Sequence, residues 1–370
     1  MENKNLNGIV SQFEIIGTPI KIEPLGEGLI NDTYRVTTME EDAPNYVLQR
    51  INHHVFPDVD MVMNNIAEVT AHIRKKLEQQ NATDIERRVL SFYPIKQKEE
   101  NAAPKLYACI DGNYWRMMTF IPDTITKQEV NPENSKTVGL AFGNFQSMLA
   151  DIPAKLGETI ADFHNMEFRL KQLRQAVADD LAGRANEPQV QFLLQEIESR
   201  AEEMCKAERM GREGILPKRI CHCDTKVNNI LFDKNDQVLC VIDLDTVMPN
   251  FIFSDYGDFL RSAANTVAED CPDMEKVEFR LDIYRAFTEG YLQSAHSFLL
   301  PIEVKNLPYA AALFPYMQCA RFLWDYLNGD KYWKCSYPTH NFVRANNQFH
   351  LLLSIEKNFN ELTEIVKQYV

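Results

Sequence analysis

The sequence predicts an α+β protein of two lobes, a small antiparallel sheet with one helix followed by a larger, mainly helical part. Short β-like runs separated by turn residues fill residues 1–120, and a single long helical pattern interrupts them. Residues 121–370 follow the helical period, with one island of strand. The chain of 370 residues also exceeds the usual size of one hydrophobic core. We therefore expect an N-lobe over residues 1–120 and a C-lobe over residues 121–370.

The N-lobe pattern consists of three strands, one helix and further strands. A helix is predicted over Val59 to Gln79, because apolar residues recur there on one face. Asp111-Gly112, between the last two strands, is a strong signal for a hairpin. The strands are expected at Pro19 to Leu25, Thr33 to Thr37, Tyr46 to Ile51, Val89 to Ile95, Lys105 to Ile110 and Tyr114 to Ile121. Such a sheet with one inserted helix can cover a nucleotide.

Helical periodicity covers most of the C-lobe. The runs Ile230 to Phe232 and Val238 to Ile242, separated by Asp233 to Asp236, predict a β-hairpin inside it. The helices are expected at residues 136–150, 158–182, 189–210, 254–267, 273–297, 306–328 and 344–368.

Composition and charge narrow the classes of partner. The formal net charge of −14 argues against nucleic acid and against an anionic membrane surface, because both are polyanions. No apolar run reaches the roughly 18 residues that suggest a membrane span, so we expect a soluble, cytoplasmic protein. The eight cysteines are expected to be free thiols. Cys221 and Cys223 flank His222 without a second Cys or His pair, so a zinc site is not predicted.

The strongest chemical signal is the stretch from His222 to Asn229, followed 14 residues later by Asp243 at the end of a predicted strand. Phosphoryl transfer needs a carboxylate that faces the attacking hydroxyl, together with oxygen ligands for Mg²⁺. Asp224 can orient and deprotonate the hydroxyl, while Asn229 and Asp243 can hold the magnesium ion of ATP. The pattern therefore predicts a small-molecule kinase.

This region resembles the aminoglycoside phosphotransferase and choline kinase superfamily, whose loop is His-x-Asp followed by Asn five residues after the Asp. The resemblance implies a protein-kinase-like fold, Asp224 as catalytic base, Asn229 and Asp243 as metal ligands and His222 as a brace of the loop. The longer phrases are most similar to N-acetylhexosamine 1-kinases, from about Gly26 to Asp330. These phrases are Gly-x-Gly-x-Ile-Asn-Asp-Thr-Tyr, Val-Leu-Gln-Arg-Ile-Asn, Phe-Pro-Asp-Val-Asp, His-x-Asp-Thr-Lys-x-Asn-Asn and Ile-Asp-Leu-Asp-Thr-Val-Met-Pro.

The nucleotide side of the site is predicted from the N-lobe. Gly26 and Gly28 let backbone amides approach phosphates, although a plain hairpin turn is the alternative. Kinases of this fold usually carry a lysine on the third strand, and here that strand has none. Arg50 is the candidate replacement, against an ordinary surface arginine. Met117 and Met118 are candidates for the adenine wall, and at least one of them is expected to pack in the sheet instead.

The acceptor side follows from the resemblance to the N-acetylhexosamine kinases. It implies Asp245, Thr246, Arg321 and Trp324 as sugar contacts, since arginine and carboxylates bind hydroxyl and carbonyl groups and tryptophan covers a pyranose ring. The alternative for Arg321 is a buried salt bridge with Asp325.

Leu29, Asp255 and Asp258 are not predicted as contacts of the substrate. Leu29 stands where the similar loops have histidine, so one contact to the sugar is expected to be missing. Asp255 and Asp258 are predicted to brace loops rather than to take part in the reaction.

The resulting expectation is phosphorylation of the anomeric hydroxyl of an N-acetylhexosamine, GlcNAc or GalNAc, by ATP and Mg²⁺. A sugar is the expected small-molecule partner, and the oligomeric state is left open. One alternative keeps the fold but changes the acceptor to an aminoglycoside or to an amino alcohol such as choline, ethanolamine or homoserine. Trp324, Tyr326, Trp333 and Asp325 would then form an aromatic and acidic cage. The other alternative is a non-catalytic, nucleotide-binding scaffold.

Overall fold

The computed structural model describes residues 5–26, 30–97, 104–128 and 130–369. The strands there are β1 (Pro19–Pro24), β2 (Asp32–Thr38), β3 (Tyr46–Ile51), β4 (Phe92–Tyr93), β5 (Ala108–Ile110), β6 (Asn113–Thr119), β7 (Arg219–Cys221), β8 (Ile230–Phe232), β9 (Val238–Val241) and β10 (Met248–Asn250). The helices are α1 (Leu6–Val10), α2 (Val59–Gln79), α3 (Ile85–Arg88), α4 (Pro132–Leu149), α5 (Met166–Asp179), α6 (Pro188–Met204), α7 (Lys206–Arg212), α8 (Phe253–Ala263), α9 (Leu281–Ala295), α10 (Pro301–Lys305), α11 (Leu307–Leu327), α12 (His340–Lys357) and α13 (Phe359–Lys367).

The chain forms two compact units. The strand-rich unit consists of Met1–Thr126, Asp151–Ile160 and Ile230–Met248. The helical unit consists of Lys127–Ala150, Ala161–Asn229 and Pro249–Val370. An antiparallel sheet in the first and a mainly helical second unit confirm the predicted fold class. The division of the chain into lobes near residue 121 stays a prediction.

The strand-rich unit is built on an antiparallel sheet of the order β1-β2-β3-β6-β4, with β5 paired to β6. Asp111 and Gly112 have φ of 50° and 72°, as a two-residue hairpin between β5 and β6 requires, so the predicted hairpin is confirmed. Ile110 pairs with Asn113 beside this turn. One face of the sheet carries a buried apolar cluster that includes Phe13, Val36, Tyr46, Leu48, Trp115 and Met117.

Helix α2 has the predicted bounds, and its apolar stripe is buried. Its first turn is capped by Asp58, whose side chain accepts a hydrogen bond from the amide of Met61. The strand predicted over Val89 to Ile95 is shorter than expected, because only Phe92–Tyr93 pair with β6. The predicted hairpin of β8 and β9 is confirmed.

The helical unit depends on a close approach of α4 and α9. A Cβ atom on Gly139 would lie 2.3 Å from the carbonyl oxygen of Phe287, and one on Gly290 would lie 2.0 Å from that of Lys136. Larger residues would therefore force the two backbones apart. This packing brings together Gln146 of α4 and Tyr291 of α9, whose side chains are hydrogen-bonded to each other.

Several predicted helices differ at their ends. The helix expected over 158–182 begins only at Met166, because the side chain of Asn165 caps it by accepting from the amide of Phe168. The segment 344–368 is two helices, α12 and α13, which meet at Asn358. The segment 189–210 also divides, at Cys205, and α9 begins at Leu281 rather than near residue 273. Within the described ranges, no helix is both long enough and apolar enough to cross a membrane.

Candidate active site

The loop from His222 to Asn229 follows β7 in the helical unit and is held by a buried carboxylate from α8. Asp255 is fully buried and accepts hydrogen bonds from the backbone amides of His222, at 2.9 Å, and Cys223, at 2.7 Å. Cys223 has a φ of 62°, a left-handed conformation that side chains other than glycine and asparagine rarely adopt. The carboxylate thus holds the two amides that directly precede this left-handed turn of the chain.

The Asp255 carboxylate is itself fixed by two further helices. Gln146 Nε2 donates to Asp255 Oδ2 at 2.8 Å, and Tyr291 donates its hydroxyl to Gln146 Oε1 at 2.6 Å. Burial raises the pKa of Asp255, although the electrostatic interaction with His222 and the donated hydrogen bonds act in the opposite direction. The prediction that Asp255 braces the loop is confirmed.

A second carboxylate of α8 holds the chain on the other side of Asp224, the predicted base. Asp258 Oδ2 accepts from the backbone amide of Thr225 at 3.1 Å, and Asp258 Oδ1 lies 3.6 Å from a guanidinium nitrogen of Arg261. Burial raises the pKa of Asp258 to about 6, with the charge of Arg261 opposing the shift and that of Asp224 adding to it. The bracing role predicted for Asp258 is therefore confirmed as well.

Asp224 lies between the anchored amides of Cys223 and Thr225, and its carboxylate contacts Lys226 and Asn229. Lys226 Nζ is 2.6 Å from Asp224 Oδ1. Burial lowers the pKa of Lys226, but the negative charges of Asp224 and Asp258 outweigh burial and raise it overall. Lys226 was not singled out in the sequence, although its place two residues after the aspartate was visible. Its half-exposed ammonium group adds a positive charge beside the predicted base.

Asn229 turns its amide nitrogen toward the predicted base. Nδ2 donates to the backbone oxygen of Asp224 at 2.8 Å and to Oδ2 of the same residue at 3.3 Å. In the part of the chain that the structure describes, the side-chain oxygen of Asn229 accepts no hydrogen bond. An amide oxygen is a ligand that Mg²⁺ accepts, so the geometry of Asn229 fits its predicted role.

His222 is fully buried behind the loop. Its ring packs against those of Phe142 and Phe145, with centroids at 5.4 and 5.9 Å, and Nδ1 accepts from the backbone amide of Asp224 at 3.3 Å. These contacts support a brace rather than a proton carrier.

Asp243 follows β9 in the strand-rich unit and has a left-handed backbone, with φ 61° and ψ 58°. A short 3-10 turn, Leu244–Thr246, comes directly after it. Both Asp245 and Thr246 are buried in this turn. The turn fixes the direction in which the chain leaves the predicted metal ligand.

Asp245, predicted as a sugar contact, has its carboxylate engaged inside the strand-rich unit. Oδ1 lies 2.5 Å from Arg116 Nη1, and Oδ2 accepts from Asn31 Nδ2 at 2.7 Å. Arg116 and Asp245 are each 2% exposed. The sequence did not predict Arg116 or Asn31 as partners of Asp245. A single arginine between Trp115 and Met117 gives no pattern.

The predicted nucleotide contacts occupy different faces of the sheet. Arg50 donates to Asp32 at 2.8 Å and to Asn113 at 3.2 Å. Met117 belongs to the buried apolar cluster, as expected for at least one of the two methionines. Met118 is the next residue of the strand, so its side chain lies on the opposite face of the sheet. Gly26 has a φ of 70°.

Gly28 and Leu29 lie outside the described residues.

Arg321 and Trp324, the predicted acceptor contacts of the helical unit, lie on α11. The guanidinium of Arg321 lies over the rings of Phe163 and Trp333, at 5.6 and 5.3 Å from their centroids, and it donates to Gln318 at 3.1 Å. In the ranges that the structure describes, Arg321 forms no ion pair with a carboxylate. The alternative of a salt bridge with Asp325 therefore does not occur.

A comparison with known families decides the membership of the chain. Residues 21–292 match the family described as "Phosphotransferase enzyme family", abbreviated APH. The chain belongs to this family. The matched range includes the positions of Gly26, Asp224 and Asp243.

Solved structures agree with this membership. An aminoglycoside phosphotransferase from Alicyclobacillus acidocaldarius has a TM-score of 0.61 and 14% identity, covering 98% of this chain and 96% of its own. An amicoumacin kinase in complex with AMP-PNP, Ca²⁺ and Ami has a TM-score of 0.58 and 13% identity, over 100% and 98% of the two chains. A Plasmodium vivax ethanolamine kinase has a TM-score of 0.52 and 13% identity, over 89% and 81%. The fold of this phosphotransferase is protein-kinase-like.

Proposed function

We propose that this phosphotransferase transfers the γ-phosphoryl group of ATP to the anomeric hydroxyl of an N-acetylhexosamine and releases the sugar 1-phosphate and ADP. The observation that carries the acceptor assignment is Arg321, a partly buried arginine on aromatic rings that has no described carboxylate partner. Such a guanidinium can donate to sugar hydroxyls and to an acetamido carbonyl. The longer sequence phrases shared with N-acetylhexosamine 1-kinases support the same acceptor.

The roles follow from the chemistry of the side chains. Asp224 orients the acceptor hydroxyl and takes its proton as the oxygen attacks phosphorus, a contribution of about 100- to 10,000-fold for a general base. An anomeric hydroxyl is more acidic than an ordinary alcohol, so modest basicity is enough. Lys226, next to Asp224, adds positive charge near the group being transferred.

Asn229 and Asp243 are the residues that would hold the metal. An amide oxygen and a carboxylate are hard oxygen ligands and suit Mg²⁺, and the orientation of Asn229 leaves its oxygen for this purpose. When bound, the ion neutralises charge on the phosphate oxygens. The amicoumacin kinase complex with AMP-PNP and a divalent cation supports a metal-bound nucleotide for this fold.

A cationic acceptor such as choline is disfavoured by the state of Asp325. Its carboxylate accepts hydrogen bonds from the backbone amides of Lys331, Tyr332 and Trp333 and from Asn341 Nδ2, at 2.8 to 3.0 Å. Asp325 is 1% exposed. The acidic member of the alternative cage is therefore engaged in shaping the loop after α11 rather than in holding a ligand cation.

The charges near Arg321 also oppose a cation. Burial and the charge of Arg321 lower the pKa of Arg169 to about 10, which places the two guanidiniums within electrostatic reach. Arg169 donates to the backbone oxygen of Phe163 and to Gln172, and neither arginine has an ion pair among the described residues. Burial, followed by the charges of these arginines, lowers the pKa of His164 far below its usual value, so this histidine is neutral. A hydroxyl-rich, uncharged acceptor suits such surroundings better than an amine does.

The decisive experiment incubates the protein with ATP and Mg²⁺ and, separately, N-acetylglucosamine, N-acetylgalactosamine, glucosamine, choline, ethanolamine, homoserine and an aminoglycoside. ADP release and the identity of the phosphorylated product are measured. A 1-phosphate formed only from the acetamido sugars supports the proposal. Turnover of an amine alone would move the acceptor to the alternative class, and binding of nucleotide without any turnover would favour a scaffold.

Two variants test the assigned roles. Asp224→Asn should keep nucleotide binding and lower turnover by about 100-fold or more, because the proton acceptor is lost. Asp243→Asn should weaken Mg²⁺-dependent nucleotide binding in addition. Turnover equal to that of the unchanged protein in either variant would contradict the mechanism.

A further inference from the structure

The third strand of the sheet presents glutamine, not lysine or arginine, on the face opposite the apolar cluster. Gln49 pairs directly with Arg116 across β3 and β6, so their side chains share one face. Arg50 pairs with Trp115, which belongs to the buried apolar cluster on the other face. The buried cation beside Gln49 on this face is therefore Arg116, which belongs to β6 and not to the third strand.

The guanidinium of Arg116 is held by three neighbours and is sealed from solvent. Gln49 Oε1 accepts from Nε at 2.9 Å and from Nη2 at 2.5 Å. Nη1 lies 2.5 Å from Asp245 Oδ1 and 3.8 Å from Met63 Sδ on α2. A 2% exposed arginine whose donors are used in this way is placed to fix its neighbours rather than to grip a ligand.

Asp245 carries this fixation to two further segments. Its other oxygen accepts from Asn31, which directly precedes β2, and Asn31 Oδ1 in turn accepts from the backbone amide of Asn52 at 2.9 Å. Asp245 also lies in the turn that begins immediately after Asp243. The buried ion pair thus joins β6, the residue before β2 and the turn behind the proposed metal ligand.

A second contact fixes the end of the same turn. Asn65 of α2 donates to the backbone oxygens of Val247, at 2.9 Å, and Gly157, at 2.8 Å. Asn65 is fully buried, so the turn after Asp243 is held at both ends by polar side chains that water does not reach.

We infer that the Arg116–Asp245 ion pair takes the place of the strand lysine as a positioning device, which orients Asp243 toward Mg²⁺, and that Asp245 does not contact the acceptor. The inference rests on the proposed role of Asp243 as a metal ligand. Arg116 and Asp245 are positioning residues, since they act through Asp243 and Asn31.

The test measures nucleotide binding without catalysis. AMP-PNP binding to the full chain is titrated by calorimetry at a series of Mg²⁺ concentrations for Arg116→Met, Asp245→Asn and the exposed control Arg88→Met. We expect the first two to need at least about tenfold more Mg²⁺ for half-maximal nucleotide binding, as removal of outer partners costs a metal site about 10- to 100-fold. The control should match the unchanged protein.

Steady-state kinetics with the accepted substrate completes the test. The two variants should lower kcat and leave the KM of the acceptor within about twofold, as expected for groups that act on the metal side only. Arg116→Lys, which keeps the charge but loses the fork to Gln49, should recover part of the Mg²⁺ affinity. A raised acceptor KM in Asp245→Asn with an unchanged Mg²⁺ requirement would overturn the inference and make Asp245 a substrate contact.

Loss of folding does not leave the inference untested. If Arg116→Met or Asp245→Asn unfolds, as a melting curve without Mg²⁺ would show, Asn31→Ala removes the other partner of Asp245 and leaves the ion pair intact. It should raise the Mg²⁺ requirement in the same direction, and an unchanged requirement overturns the inference. Failure of the unchanged protein to bind AMP-PNP would instead contradict the proposed function, so the two failures are distinguishable.

Discussion

Replacement of Asp255 by asparagine tests whether α8 holds the loop that carries Asp224. The carboxylate accepts three hydrogen bonds, from the amides of His222 and Cys223 and from the side chain of Gln146. Asparagine has almost the same shape but only one acceptor oxygen. The substitution therefore removes hydrogen-bond acceptance and charge without leaving a cavity.

The magnitude follows from this geometry. An asparagine oxygen at the Oδ2 position still accepts from His222 and Gln146, while its NH₂ group then faces the amide of Cys223. A buried donor left unpaired costs about 1–3 kcal/mol. The two remaining hydrogen bonds lose their charge assistance and about half of their strength. The removed desolvation of a buried carboxylate, which is the cause of the raised pKa of Asp255, offsets part of this, so we expect the free energy of unfolding to fall by about 2–4 kcal/mol.

Urea unfolding followed by circular dichroism measures this loss, with exposed Asp42→Asn as the matched control. Turnover should fall further than stability alone explains, by about 100-fold, because a displacement of about 1 Å at Asp224 is enough to lose that factor. An unfolding midpoint equal to that of the control, with unchanged turnover, would refute the reasoning that Asp255 shapes the loop.

Three further outcomes are expected. Between pH 3.8, the ordinary pKa of an aspartate, and about 6, Asp258 holds a proton only in the folded protein, so its contribution to the free energy of unfolding falls by about 3 kcal/mol as the pH rises through that window. Urea unfolding of Asp258→Asn and of the unchanged protein at about pH 4 and pH 7 should show the variant gaining stability relative to the unchanged protein at the higher pH. Equal changes in both proteins would exclude this titration. Gly290→Ala should lower the free energy of unfolding by about 3 kcal/mol or more, because its Cβ would meet the backbone of Lys136 at 2.0 Å, and an unchanged melting temperature would show that α4 and α9 separate easily. Arg321→Met should raise the acceptor KM at least about tenfold, the effect of roughly 1.4 kcal/mol of lost binding, and leave AMP-PNP binding unchanged, whereas an equal effect on both would mean that Arg321 is structural.

Local signals explain what the sequence could predict. The bounds of α2 follow from the capping Asp58 and a stripe of apolar residues, and the β5–β6 hairpin follows from Asp111-Gly112. The loop around Asp224 is likewise legible, because its chemical groups lie within a few residues of one another. Each of these features depends on neighbours in the chain.

The features that the sequence did not reveal depend on which face of a strand is buried. Gln49 and Arg50 are adjacent polar residues, and alternation alone does not say which of them shares a face with the apolar cluster. The partner strand decides this, since Arg50 pairs with Trp115 and Gln49 with Arg116. The ion pair between Arg116 and Asp245 joins distant parts of the chain, and no local pattern announces it.

Two left-handed residues connect these buried carboxylates to the proposed chemistry. Cys223 precedes Asp224, and Asp243 is itself left-handed, with φ of 62° and 61°. Each such conformation costs about 1–2 kcal/mol and persists only where surrounding contacts enforce it. Asp255 fixes the backbone just before the first by accepting the amides of His222 and Cys223, and Asp245, which is bonded to Arg116 and Asn31, lies just after the second. In both units, therefore, a buried acid outside the proposed chemistry helps to fix the direction of the aspartate to which we assign that chemistry.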